Sequence, residues 1–253
     1  MNEQDFTSTQ NSTLRDITRN PIELSANWLV DNYPGLRATH ITLAGTAGAL
    51  AVGAIAERYP GTARLASWAH LASSLTDAWD GPVARAHGKN NSRGTSLSGS
   101  LIDTASDRLQ EFAAGTSQAS IAFARGNKIG GYAQLAFAGS SLLPSLTRSL
   151  AESRGNVVSE GAIGSRHTRV TLNCLGYFWN EEPKRVTALG AVGTGLNLYN
   201  TAQRLDSLRT GSKNNLGDID PQKKVHAKIR LGMLSLLTIA GGVNVYKKAK
   251  RSN

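Results

Sequence analysis

Three stretches of the chain carry no Asp, Glu, Lys or Arg: 38–56 and 129–147, each of nineteen residues, and 186–203, of eighteen. Shorter charge-free stretches lie at 65–76, 112–124, 170–180 and 231–246. No strand-like alternation stands out in them, and the pattern predicts an all-α chain. A spanning helix needs about 20 mostly apolar residues, so the three long stretches are long enough to cross a bilayer. They are rich in Ala and Gly rather than Leu, which suits close helix–helix contact in lipid. Taken alone, they fit a soluble bundle with a small-residue core equally well.

The ends are polar. Residues 1–20 read as a polar tail without packed structure. Residues 210–230 read as a linker, because Gly, Asn, Asp and Pro interrupt any helix there. Between the tail and the first long stretch, residues 21–33 carry Ile22, Leu24, Trp28, Leu29 and Val30. That segment suits a helix lying at a membrane surface or an ordinary capping helix.

Composition averages over these differences. Mean hydropathy is −0.26, and 28 Lys and Arg against 18 Asp and Glu give a net charge of +10 and a pI near 10.0. Averages alone describe a basic soluble protein, nucleic-acid binding included. No interleaving of basic and aromatic residues supports a nucleic-acid partner. A single cysteine, Cys174, excludes an internal disulfide framework and a Cys-rich zinc site. Glu3, Asp5 and Asp16 argue against a secretory signal. The five histidines show no ligand spacing, while Trp68, Trp79 and Trp179 near the ends of candidate spans fit interfacial anchors or core packing.

The chemistry concentrates between residues 77 and 107. Asp77 and Asp80 share a helix face at i,i+3, and Asp103 and Asp107 share one at i,i+4. Two such helices packed together bring four carboxylates to one place, where they repel unless cations neutralise them. Oxygen-only donors favour Mg²⁺, Mn²⁺ or Ca²⁺. Gly81 and Gly99 add no bulk beside the acids, so a diphosphate or a base can approach the backbone. Arg85 can clamp phosphate oxygens bidentately. A lone Asp is better read as a helix cap or a solvated side chain. Eight specified identities in this order are not.

The pattern D-x-x-D-G-x-x-A-R at 77–85, followed by G-x3-D-x3-D at 99–107, resembles the signature of the CDP-alcohol phosphatidyltransferases, integral membrane enzymes of phospholipid head-group synthesis. The spacer between Arg85 and Gly99, thirteen residues here, is longer than usual in that family. PSLTRSLAE at 144–152, GAIGSRHTR at 161–169 and NTAQR at 200–204 are similar to later family segments, so the likeness runs from about Arg37 to Arg209. It implies a bundle of six transmembrane helices near 38–56, 63–84, 99–124, 128–147, 166–180 and 186–204. An N-terminal interfacial helix and an extra C-terminal hydrophobic helix are expected to flank it. The expected organisation is a tail (1–20), a membrane domain (21–209), and a linker plus membrane-associated helix (210–253).

The resemblance implies transfer of a phosphatidyl group from CDP-diacylglycerol to a hydroxyl of a polar alcohol, releasing CMP. Asp77, Asp80, Asp103 and Asp107 would hold Mg²⁺ or Mn²⁺, with Asp107 also the base. Gly81, Ala84, Arg85 and Gly99 would bind the CDP-lipid. Arg148, Arg166 and Arg169 would suit the phosphate of an acceptor such as inositol phosphate, or anchor lipid head groups. Asp107-Arg108 and the 144–152 stretch lean toward inositol phosphate over glycerol 3-phosphate. The active site is expected on the cytoplasmic side of an integral membrane protein, at the inner or plasma membrane in a bacterium. Segments expected inside carry 3, 3, 4 and 7 Lys and Arg against 2 in each outside loop, the sign the positive-inside rule requires. Basic residues on both sides of 231–246 favour an interfacial or re-entrant helix over a seventh span. The family likeness is also compatible with a homodimer. Competing readings are a soluble Asp-rich enzyme of allylic diphosphates and a non-catalytic membrane protein that keeps the motif.

Overall fold

The computed structural model describes residues 21–91, 97–153, 165–211, 225 and 227–235, and the regular structure among them is helical. In order these are α1 (residues 21–32), α2 (Ala38–Arg58), a 3-10 turn (Pro60–Thr62), α3 (Ala63–Leu75), α4 (Asp77–Asn91) and α5 (Leu97–Ala124). Then come α6 (Lys128–Ser140), α7 (Leu143–Ser153), α8 (Arg166–Phe178), α9 (Pro183–Gly211) and α10 (residues 227–235). The expected polar tail, the spacer residues 92–96 and most of the expected C-terminal hydrophobic stretch lie outside the described residues.

α2 is packed inside out. Its buried residues are Thr42, Gly45, Thr46, Ala49, Gly53 and Ala56, a stripe at helical spacing. Leu43, Leu50 and Ile55 point outward, each more than two-fifths exposed. A helix in water buries its Leu and Ile; this one buries its small and polar residues and offers the large apolar ones to its surroundings. Among the described residues α2 is the one helix long and apolar enough to cross a membrane by length and composition.

Two segments expected as single helices are broken. The 63–84 segment divides at Thr76, where the Thr76 hydroxyl donates to the Ser73 carbonyl (2.7 Å), diverting a carbonyl from the helical ladder. α2 approaches this break closely: a Cβ on Gly45 would lie 2.1 Å from Thr76 Oγ1. The 128–147 segment divides at Ser141 and Leu142. Pro144 brings no N–H to continue the ladder, and the Ser140 and Ser141 hydroxyls donate to the Phe137 and Ala138 carbonyls. At the other end of α6 the chain reverses from α5 through Gly126, at φ +77, a conformation glycine adopts without strain. Asn127 then caps α6, accepting from the Gly130 N–H (2.9 Å).

α5 runs between α2 and α6, α9 lies along α6, and α3 packs on α8. Polar side chains join these helices: Gln118 Nε2 donates to the Asn173 carbonyl (2.9 Å), Gln134 Nε2 to the Val186 carbonyl (2.9 Å) and Asn197 Nδ2 to Ser140 Oγ (3.0 Å). Small residues let the backbones close in. A Cβ on Gly190 of α9 would lie 2.6 Å from the Ala133 backbone of α6, and one on Gly193 would lie 2.5 Å from the Phe137 ring.

α1 packs Ala26 and Val30 against Val83 and Ala86 of α4, while Leu24 and Trp28 stay exposed. Trp79 donates to Ser25 Oγ of α1 (2.8 Å), so it is a packing residue, whereas Trp68 is exposed. Cys174 is half-buried on α8. Helix starts before residue 231 at the C-terminal end: residues 227–230, read as linker, are helical.

Candidate active site

The break at Thr76 starts a helix on the first acid of the signature. Asp77 is the first residue of α4, and its side chain lies outside the described residues. Asp80 follows within the first turn, where free backbone N–H groups favour carboxylates. Its carboxylate accepts from the Gly81 N–H and from Thr42 Oγ1 (3.0 Å). Asp103 comes from α5 to meet it, the two carboxyl groups within hydrogen-bonding reach of each other. Two carboxyl groups this close must share a proton or have positive charge beside them.

These donors fit a hard divalent cation: oxygen only, from two different helices, with Asp77 one turn before Asp80. Among the described residues no three acidic, histidine or cysteine side chains converge. The structure brings Asp80 and Asp103 together but not Asp107. Asp107, one turn further along α5, pairs with Arg166 (Oδ1 to Nη2, 2.7 Å).

Of the residues expected at the CDP-lipid, Gly81, Ala84 and Arg85 lie on α4 beside Asp80, and Gly99 lies in the first turn of α5. A Cβ on Gly81 would sit at ordinary contact distance, 3.5 Å, from Arg85 Nη1. Arg85 is exposed and lies 3.5 Å from Glu23 of α1. His87 Nε2 contacts the Leu36 carbonyl, which ties the end of α4 to the entry of α2.

Asp103 and Asp107 also line a cavity of about 380 Å³. Arg148 of α7 and Arg166 and Arg169 of α8 line the same cavity, so the three arginines picked out in the sequence share one space with the signature acids. Arg108, Arg204 and Arg230 join them. Glu111 holds two from behind: it accepts from Arg108 Nη1 (2.6 Å) and Arg169 Nε (2.9 Å) and is 2% exposed. Arg204 Nη1 donates to the Pro144 carbonyl (2.6 Å) and Nε to Asn200 Oδ1 (2.9 Å). Sequence reasoning missed Glu111, although it continues the 103, 107 stripe by another four residues. It also missed Arg204 and Arg230, which no spacing ties to the signature.

Residues 36–199 match the family model described as CDP-alcohol phosphatidyltransferase. No protein of curated function matches the chain in sequence. Among solved structures, it resembles Mycobacterium tuberculosis phosphatidylinositol phosphate synthase (PgsA1) with CDP-DAG bound, at TM-score 0.65 and 21% identity over 79% of this chain and 96% of that one. The same enzyme in complex with manganese and citrate gives TM-score 0.59 and 20% identity over 79% and 92%. The fold, the spaced acids on α4 and α5 and the matched stretch agree, and the chain belongs to the CDP-alcohol phosphatidyltransferase family, membrane-associated enzymes that use divalent metals such as Mg²⁺ or Mn²⁺ to move a phosphatidyl group from a CDP-linked lipid to an alcohol.

Proposed function

We propose that the protein transfers a phosphatidyl group from CDP-diacylglycerol to a phosphorylated polyol, inositol phosphate being the favoured acceptor. The observation that carries this reading is the cavity in which Asp103 and Asp107 face Arg148, Arg166 and Arg169. An acceptor phosphate held by these arginines leaves its hydroxyl beside Asp107. The neighbour's printed name, a phosphatidylinositol phosphate synthase, supports the same choice. Glycerol 3-phosphate is the second reading, since the arginine cluster suits any phosphomonoester.

Asp77, Asp80 and Asp103 would hold Mg²⁺ or Mn²⁺, with Asp107 in reach as a further ligand. When bound, the cation supplies charge neutralisation to the diphosphate and to departing CMP. Asp107 takes the acceptor's hydroxyl proton as the oxygen forms a bond to the lipid-bearing phosphorus and the bond to CMP breaks. Gly81, Ala84, Arg85 and Gly99 line the CDP-lipid side, Arg85 turning from Glu23 to the diphosphate. The six-span arrangement takes α2, α3 with α4, α5, α6 with α7, α8 and α9 as the crossings, with α1 at the interface and the site on the cytoplasmic side.

The test is an acceptor screen with CDP-diacylglycerol and Mg²⁺ or Mn²⁺, reading CMP release. Phosphorylated polyols should be turned over and the same alcohols without phosphate should not. Turnover of only unphosphorylated alcohols sinks the acceptor assignment; no CMP release with any alcohol favours a non-catalytic protein.

A further inference from the structure

The acceptor cavity has a wall from outside the family match. Arg230 lies on α10, beyond residues 36–199 and separated in sequence from α9. Ala227 and Leu234 of α10 are fully buried, Arg230 and Leu231 are half-buried, and Lys228, Ile229 and Gly232 are exposed. Positions 227, 230, 231 and 234 form one helix face, so α10 is docked by that face and carries Arg230 on it. Glu152 of α7 fixes the arginine: its Oε2 lies 2.6 Å from Arg230 Nη2, and its Oε1 accepts from Arg148 Nε (2.8 Å). One carboxylate thus sets two arginines, from two elements, into the same cavity. Arg230 Nε is buried and has no hydrogen-bond partner among the described residues, a donor that a ligand oxygen would satisfy.

The lining of the cavity points the same way. Six arginines line the cavity, and the carboxylates lining it or paired with those arginines are Asp103, Asp107, Glu111 and Glu152. A space lined by arginines from α5, α7, α8, α9 and α10 suits a phosphomonoester.

We propose that α10 caps the acceptor cavity and that Arg230 binds the acceptor's phosphate together with Arg148, Arg166 and Arg169. The proposal rests on the acceptor reading given above. Arg230 is then a specificity residue supplied by a segment the family match does not include, and it selects acceptors bearing a dianionic phosphate.

The experiment uses the full-length enzyme in detergent, with CDP-diacylglycerol as donor and inositol phosphate as acceptor, comparing R230A, R230K and R148A. A parallel measurement follows how far inorganic phosphate raises the thermal unfolding temperature, which needs no turnover. R230A should raise the acceptor KM about ten-fold, leave the CDP-lipid KM unchanged and shrink the phosphate-induced shift. R230K should recover part of both. If R148A weakens acceptor and phosphate binding while R230A does not, the cap proposal alone fails. If neither variant does, the acceptor reading itself fails. A lower unfolding temperature for R230A with an unchanged acceptor KM and phosphate shift would make the residue a structural tether and overturn the proposal.

Discussion

Asp107 is held between the acids of the signature and the arginines of the cavity, 2.7 Å from Arg166 and one turn from Asp103. A proton acceptor must sit at the substrate hydroxyl while the phosphate of the same molecule is gripped elsewhere, and this placement meets both needs. Replacing Asp107 by Asn keeps its shape and removes its basicity. CMP release should fall about 10²–10⁴-fold, while binding of CDP-diacylglycerol, followed by its stabilisation against heat, should persist. Near-normal turnover would exclude Asp107 as the base. The spacing of the acids was legible because it is local, set by helical periodicity, whereas Arg148, Arg166 and Arg169 were picked out only by the likeness of their segments to the family. The pairing of Arg166 with Asp107 was not legible, since it joins helices fifty-nine residues apart in sequence. Glu111 was within reach of the same periodicity, but a buried acid that serves two arginines looks like any polar residue in a string of letters.

Helix existence followed from the charge-free stretches, and helix continuity did not. The 129–147 stretch runs through Ser141 and Leu142 without a change in polarity, and the span expected over 63–84 crosses the end of its charge-free stretch at Thr76, yet both places break, one beside a threonine that captures a carbonyl and the other before Pro144. The first break puts Asp77 and Asp80 on a helix start; the second opens the angle from which α7 presents Arg148. Between α6 and α9 the contact depends on glycine. Gly190→Val would drive side-chain atoms into the Ala133 backbone, with a cost of about 1–3 kcal/mol. Gly195→Ala, in the same helix with nothing within 4 Å of its added Cβ, should be neutral or slightly stabilising. Thermal unfolding of the two variants in the same detergent checks the pair, and equal stability would show that α6 and α9 do not depend on this close approach.

Across the described residues many large apolar side chains face outward: Leu43, Leu50, Leu65, Trp68, Ile129 and Val192 are all exposed. Hydropathy averages concealed this, because small residues fill the interior and polar segments flank the bundle. The charge bias predicts both termini on the cytoplasmic side, and Arg230 lines the cavity that the proposed topology puts on that same side. Reporters fused to each end should therefore both read cytoplasmic; opposite readings would require an odd number of crossings and make the tail a span. α8 carries a last consequence. Its thirteen residues make a rod of about 20 Å, against a hydrocarbon layer of about 30 Å. In the proposed six-span arrangement, a crossing that short leaves roughly a third of the layer's depth to be made up at its ends; if that depth lies at the Arg166 end, water and the proposed phosphorylated acceptor would descend beneath the level of the lipid head groups to react. The enzyme would carry out its chemistry at the bottom of a wet well whose rim is lipid, reached by one substrate from the aqueous side and by the other from the membrane.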